Sequence, residues 1–194
     1  AVTTLAGSGN NGFADGTGTA AKFNLPRGIT TDGTNLYVAD TDNNMIRKIV
    51  IATGAVTTLA GSTSHGSTDG TGTSAKFYYP RGLTTDGTNL YVADRSNNKI
   101  RKIVISTGVV TTLAGSGSQG STDGNGTTAS FYNPMDIAID GTNLYVADYV
   151  NHKIRKLSLM GTVTADVKLH NLDDDTNATI NLVSSDTGEA TVAP

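Results

Sequence analysis

A tandem repeat with a period of 54 residues limits the folds that this sequence can adopt. The heptapeptide AVTTLAG at positions 1–7 returns at 55–61, and VVTTLAG follows at 109–115. Repeats at 1–54, 55–108 and 109–161 therefore cover most of the 194-residue chain, and the pattern fades beyond Thr162. A period of this length is typical of propeller blades and solenoid units, in which each repeat buries its apolar face only against its neighbours.

Each repeat contains four short segments rich in strand-forming residues. The spacers between them are short and include Asp-Gly and Thr-Gly turn signals, so neighbouring strands are predicted to pair antiparallel. An all-β fold of four-stranded antiparallel blades follows from this order. In the first repeat the predicted strands lie at 28–31, 36–39, 45–51 and 56–60.

Composition excludes several classes of protein. The chain has no Cys, which excludes a disulfide scaffold and a Cys-ligated zinc site. A net charge of −3 argues against nucleic acid as a partner. No apolar run is long enough for membrane insertion. With 37% hydrophobic and 16% charged residues, the chain is too apolar for a disordered tail.

A long insert rich in Gly, Ser and Thr joins the fourth strand of one repeat to the first strand of the next. Each insert carries the motif Asp-Gly-x-Gly-Thr and ends near a Phe, so we expect it to be structured. The aspartates are predicted to cap a turn or a short helix, and the phenylalanines to anchor the insert in the core. These residues are Asp15, Asp69, Asp123, Phe23, Phe77 and Phe131.

Three motifs recur in the same order and resemble the NHL-repeat family. The first repeat has Pro26-Arg27-Gly28, then LYVAD at 36–40 and NNMIRK at 43–48. The second and third repeats carry LYVAD at 90–94 and 144–148, and the third has Asn-His-Lys-Ile at 151–154. The third departs from the pattern, because Met135-Asp136 replaces Arg-Gly. The resemblance covers residues 1–163 and implies a β-propeller, usually of six blades.

Three blades raise a problem of ring closure, since propellers typically have four to eight blades. The chain opens with a lone fourth-strand sequence at 2–6, and the fourth strand of the third repeat is weak, at 162–167. Two copies that exchange these strands would form a homodimer with a six-bladed ring. An excised half-propeller and a closed three-bladed monomer are the alternatives.

The tail at 164–194 differs from the repeats. Its alternating segments resemble the opening of β-sandwich modules in large bacterial surface proteins. This similarity implies an extracellular or cell-surface location, as one module of a larger secreted protein. A chain that starts at Ala1 inside a repeat motif is also expected to be a processed chain or a piece of a longer one.

Charged residues recur at fixed positions of the repeat. We expect Arg47, Arg101 and Arg155 to form structural ion pairs with Asp40, Asp94 and Asp148 at blade junctions. A basic stripe that binds an anionic polymer is the weaker interpretation. Asp40 and Asp42 are weak calcium candidates, and no other cofactor is expected.

The three histidines bear on whether the chain is an enzyme. Some related propellers are metal-dependent lyases or lactonases, whose ligands converge on the axis from several blades. His65, His152 and His170 lie in an insert, a loop of another type and the tail, so no catalytic residue is predicted. The expected function is non-enzymatic, with a metal-dependent lyase or lactonase as the alternative.

Chain direction predicts which face binds a ligand. The loops between second and third strands share one face with the inserts, and the residues that differ between repeats cluster there. Because loops on a rigid scaffold vary without harm to the core, this face is expected to bind a protein or a glycan. The candidate contact residues are His65, Tyr78, Tyr79, Arg95, Gln119, Tyr132 and Tyr149.

Overall fold

Three antiparallel sheets follow one another along the chain in the computed structural model, which describes residues 1–159. The first sheet has the order β1-β5-β4-β3-β2, the second β6-β10-β9-β8-β7 and the third β11-β12-β13. The strands of the first sheet are β1 Gly16–Thr17, β2 Pro26–Thr31, β3 Asn35–Asp40, β4 Met45–Val50 and β5 Ala55–Gly61. Those of the second are β6 Gly70–Thr71, β7 Pro80–Thr85, β8 Asn89–Asp94, β9 Lys99–Val104 and β10 Val109–Ala114. Those of the third are β11 Pro134–Ile139, β12 Asn143–Asp148 and β13 Lys153–Ser158.

The predicted meander is confirmed in the first two sheets, where four consecutive strands pair in sequence order. In the third sheet the described residues supply the first three strands. The predicted fourth strand at 162–167, the tail at 164–194 and His170 lie outside the described residues.

The predicted strand at 2–6 is wrong, because these residues form no strand. Their counterparts in β5 and β10 pair with the third strand of their own sheet. Residues 2–6 make no such ladder with any strand of residues 1–159. Val2 is accordingly fully exposed.

Short helical turns close the loops between the strands. One such turn follows the second strand of each meander, that is β3, β8 or β12. These three turns lie at Thr41–Asn43, Arg95–Asn97 and Tyr149–Asn151. Three more lie in the inserts, at Gly18–Ala20, Gly72–Ser74 and Gly126–Thr128. None of these turns within residues 1–159 has the length or hydropathy that crossing a bilayer requires.

The turn that joins β2 to β3 is built around Asp32. Asp32 accepts hydrogen bonds from the backbone N–H groups of Thr34 and Asn35 at 2.8 and 2.6 Å, and from the Tyr37 hydroxyl at 2.7 Å. The side-chain hydrogen bond from Asn35 is the largest cause that holds the pKa of Asp32 well below its usual range. Burial, with the bond to Asp32, raises the pKa of Tyr37 to about 12.

Hydrophobic cores lie between successive sheets. The first core joins Ile46 of the first sheet to Leu83 of the second, and the second joins Ile100 to Ile137 in the same way. Phe77 and Phe131 are buried in these cores, so the predicted anchoring of the second and third inserts is confirmed. Each sheet therefore covers the flank of the next one.

Candidate ligand face

The inserts and the turns after the second strands meet at one end of the sheets, which we name the insert face. Asp42 donates its backbone N–H to the Asn24 carbonyl at 3.1 Å, and Ser96 does the same to Tyr78 at 3.0 Å. In the third sheet Val150 donates to Tyr132 at 3.2 Å. Each turn is thus hydrogen-bonded to the end of its own insert.

A buried arginine fixes each insert to its sheet. In the second sheet Arg101 Nη1 lies 2.8 Å from Asp94 Oδ2, and Nη2 lies 2.7 Å from Asp69 Oδ1 in the insert. The same guanidinium donates to the insert carbonyls of Lys76 and Thr68 at 2.9 and 3.1 Å. Its carbon lies 5.2 Å from the centre of the Phe77 ring. The insert is therefore held by charge, hydrogen bonds and an aromatic contact.

The other two sheets repeat this arrangement. Arg47 contacts Asp40 at 2.8 Å and Asp15 at 2.6 Å. Arg155 contacts Asp148 at 2.9 Å and Asp123 at 2.6 Å.

Two details of the sequence prediction need correction here. The expected ion pairs lie within each sheet and its own insert, and not at the junctions between blades. Asp15, Asp69 and Asp123 do not cap the short helices, whose first turns receive no side-chain cap. The arginine on β4, β9 or β13 offers the insert carboxylate of its own sheet a stronger, charge-assisted partner than a single backbone N–H.

Burial has an electrostatic cost at these sites. Burial raises the pKa of Asp94 to about 6, although the charge of Arg101 opposes the rise. Asp69 is half-exposed, and bonds from Thr112 and Arg101 lower its pKa in spite of its own partial burial. The two carboxylates that contact Arg101 therefore have opposite pKa shifts, raised for buried Asp94 and lowered for half-exposed Asp69.

The oxygens of Asp40 are already occupied by protein donors. They accept from Arg47 and Asn43 at 2.8 Å and from the Asn24 N–H at 2.7 Å. A calcium ion shared with Asp42 would have to displace the guanidinium. No group of three or more His, Cys, Asp or Glu side chains in residues 1–159 is placed to hold a metal ion.

Three of the predicted contact residues form one aromatic stack on the insert face. The His65 ring lies 4.5 Å from Tyr78, and Tyr78 lies 5.0 Å from Tyr79, centre to centre. Tyr79 has a φ of +50° and donates its N–H to Asn44 Oδ1 of the preceding sheet at 2.9 Å. This strained backbone is held across the junction between two sheets.

The remaining candidates lie in the second and third repeats. Arg95 and Tyr149 begin the turns after β8 and β12, and Tyr149 is 59% exposed. Gln119 is exposed and forms an isolated bridge with Phe131, and the Tyr132 N–H donates to Asp148 at 2.8 Å. No ring contact links Tyr132 or Tyr149 to the aromatic stack within the described part of the chain.

Curated proteins similar to this chain include several that are named for NHL repeats. The chain is 34% identical over 172 residues to a Bos taurus protein named NHL repeat-containing protein 2, a match that covers 80% of this chain and 24% of that protein. No protein-family model matches. The chain belongs to the NHL-repeat family. It spans about a quarter of the length of the curated NHL relatives with that name.

Solved structures agree with the propeller fold of the NHL chain. A Bacteroides thetaiotaomicron structural genomics protein of unknown function aligns with a TM-score of 0.60 and 31% identity, over 64% of this chain and 32% of that one. An auxiliary nutrient binding protein from Bacteroides ovatus aligns with a TM-score of 0.57 and 27% identity, over 64% of this chain and 34% of that one. The sheets of residues 1–159 accordingly have the fold of propeller blades, and we name them blades one to three in chain order.

Sequence reasoning missed two residues of the insert face. Arg27 and Arg81 stand in the NHL motif Pro-Arg-Gly at the start of the first strand of blades one and two. They line a cavity of about 240 Å³ with Arg95 and Asp42. The signal was available, because this arginine occurs in two repeats and is replaced by Met135 in the third.

Proposed function

We propose that the chain is a non-enzymatic interaction module that binds a protein or a glycan through its insert face. The observation that carries the proposal is the Asp–Arg–Asp arrangement of each blade, in which one arginine joins a buried carboxylate of the sheet to a more exposed carboxylate of the insert. It holds the inserts rigidly while side chains such as His65 and Tyr149 remain exposed. A rigid scaffold with variable exposed groups is suited to binding, since few groups lose freedom when a partner arrives.

An extracellular or cell-surface location within a larger bacterial protein belongs to the same proposal. Its support is the resemblance of the tail to surface-protein modules. The solved B. ovatus neighbour is described as a nutrient binding protein, which agrees with a binding role on this scaffold.

A metal-dependent lyase or lactonase is the competing function. Its metal would need ligands that converge from several blades. His65 packs on Tyr78, and His152 takes the left-handed conformation that ends the turn after β12. Elemental analysis of the purified chain separates the two functions, because a stoichiometric, tightly held transition metal would overturn the binding proposal.

The insert face is tested by comparing variants on the two faces of the propeller. Tyr78→Ser with His65→Ser removes the aromatic stack, and Thr88→Ala with Thr34→Ala changes the turns on the opposite face. Both double variants and the unaltered chain are screened against a glycan array and a panel of purified surface proteins. The proposal expects a ligand that the insert-face variant loses and the opposite-face variant keeps. The proposal is wrong if the insert-face variant keeps the ligand and the opposite-face variant loses it.

We further propose that a second copy of the chain completes the ring. Within residues 1–159, the outer flanks of blades one and three carry the two halves of an interface that already occurs twice within the chain. Ile46 and Ile100 are fully buried, whereas their counterpart Ile154 is 74% exposed. Leu83 and Ile137 are 5% exposed, whereas their counterpart Ile29 is 60% exposed.

The flank of blade one also contains the groove that such a partner would fill. It has a volume of about 420 Å³ and is lined by Leu5, Phe23, Ile29, Leu36 and Val38. Blade three of another copy presents Tyr145 and Ile154, which match the residues that blade one presents to blade two. Two head-to-tail contacts of this kind close a six-bladed ring with two-fold symmetry.

A further inference from the structure

A cavity at the junction of blades one and two collects positive charge. Arg27 stands at the start of β2, Arg81 at the start of β7 and Arg95 in the turn after β8. All three line the cavity of about 240 Å³, together with Leu25, Asp42 and Tyr79. Three guanidinium groups from two blades and one carboxylate leave this cavity with a net positive charge.

The side chains of the three arginines have no ion-pair or hydrogen-bond partner among residues 1–159. No carboxylate of the described chain lies within ion-pair distance of any of them, and their hydrogen bonds there come from the backbone alone, such as the Arg95 carbonyl, which accepts from the Asn98 N–H at 3.2 Å. The Nε atoms of Arg81 and Arg95 are buried without an acceptor. Arg101 differs in this respect, since its two terminal nitrogens reach carboxylates and backbone carbonyls even though its own Nε is unsatisfied.

The pKa of Arg81 is lowered both by burial and by the positive charges of its neighbours. Burial is the largest cause that lowers the pKa of Arg81, and the positive charges of Arg27 and Arg95 lower it further. Tyr149 and Asp42 lie within electrostatic reach and oppose this effect only partly. Like charges gathered in a partly buried cavity are costly unless an anion compensates them.

We propose that this cavity binds one compact oxyanion, a carboxylate or a phosphate group, held by Arg27, Arg81 and Arg95. The planar fork of a guanidinium donates two parallel N–H bonds to such a group, which gives arginine its preference for carboxylate and phosphate. The proposal goes beyond the binding function above, since it concerns one anionic group whether or not a protein or glycan carries it.

The repeat provides an internal comparison. At the junction of blades two and three, Met135 stands at the position of Arg81, and Tyr149 at the position of Arg95. At these two positions blade three therefore contributes no guanidinium group to its junction with blade two. The oxyanion site occurs once in the described chain.

The test titrates the full chain with inorganic phosphate and, separately, with sodium acetate at low ionic strength. The readouts are calorimetry and the ¹⁵N signals of the arginine Nε–H groups. We expect saturable binding that shifts the signals of Arg81 and Arg95. Arg81→Gln or Arg95→Gln is expected to weaken the tighter-bound anion at least about tenfold, since hydrogen bonds to charged groups contribute about 1.5–3 kcal/mol.

Lys102→Gln is the matched control, because it removes the same charge from a strand outside the cavity. It is expected to leave anion affinity unchanged. Phosphate binding with weak acetate binding assigns the site to phosphate groups, and the reverse assigns it to carboxylates. Absence of saturable binding of either anion, or equal loss in Lys102→Gln, would overturn the proposal. Circular dichroism verifies that each variant is folded, and the glycan and protein screen can fail without affecting this result.

Discussion

Arg101 Nη1 lies 2.8 Å from Asp94 Oδ2, and both side chains are fully buried. Replacement of Arg101 by Gln would leave Asp94 buried without its counter-charge. Because the loss of one partner of a buried ion pair costs about 3–5 kcal/mol, Arg101→Gln is expected to lower the free energy of unfolding by that amount. Urea denaturation of the purified chain measures it.

Lys102→Gln is again the control, since it removes one positive charge from the next residue of the same strand. Its expected effect is within about 0.5 kcal/mol, as for most surface substitutions. Equal destabilisation by the two variants would show that net charge, and not the buried pair, accounts for the loss.

Asp69 contributes to the same arginine from the insert, but its side chain is 48% exposed. Asp69→Asn is therefore expected to cost no more than about 1 kcal/mol, as for exposed ion pairs. Its main effect is local: amide hydrogen exchange in 62–77 should accelerate, while exchange in β9 stays slow. Global acceleration in Asp69→Asn would contradict the assignment of this residue to insert anchoring.

The packing of blade two on blade three depends on a glycine. A methyl group added at Gly82 would lie 2.5 Å from Asp136 Cα and 2.9 Å from the Met135 carbonyl oxygen. Gly82→Ala must therefore separate the two blades. We expect a clear loss of thermal stability that exceeds the loss in Gly87→Ala.

Gly87 serves as the comparison because it has open space around it and a φ of +89°. Gly87→Ala tests backbone strain alone, which costs about 1–2 kcal/mol for an L-residue in this region. If the two variants have the same melting temperature, the close approach at Gly82 is not a constraint.

The aspartate turns make stability depend on pH. The pKa of Asp32 in the folded chain is below its unfolded value, so its stabilisation is present above about pH 4 and is lost as the pH falls further. Asp32→Asn is expected to be less stable than the unaltered chain at pH 7. The difference in free energy of unfolding should narrow between pH 5 and pH 2. A difference that is constant over this range would contradict the hydrogen-bonded carboxylate.

Much of the fold could be predicted from local sequence. The Asp-Gly turn at Asp32 and the short spacers determine which strands pair, and these signals act over a few residues. The pairing of Arg47 with Asp40, seven positions apart, follows from the hairpin that β3 and β4 form. Burial of Phe77 could be predicted because an apolar ring closes an otherwise polar insert.

What could not be predicted depends on distant contacts. Asp15 contacts Arg47 and Thr58 across 32 and 43 positions, so its local capping signal was misleading. Residues 2–6 have the sequence of a strand but pair with no strand of residues 1–159, and β-strand formation depends on such a neighbour. The recurrence of Arg27 and Arg81 is visible in the sequence, but their approach to Arg95 arises only when two blades pack.

Neighbouring blades cover each other through one repeated interface, and we propose that the outer flanks of blades one and three are its two halves. Light scattering at micromolar concentration distinguishes a dimeric ring from a single copy. We expect twice the 19.9 kDa mass of the chain, and monomers for Ile29→Asp and Ile154→Asp, whose side chains are exposed in a single copy. A mixture of the two variants should regain dimers, because one of the two junctions is then unaltered. A monomeric unaltered chain, or variants that remain dimeric, would rule out ring closure through these two flanks.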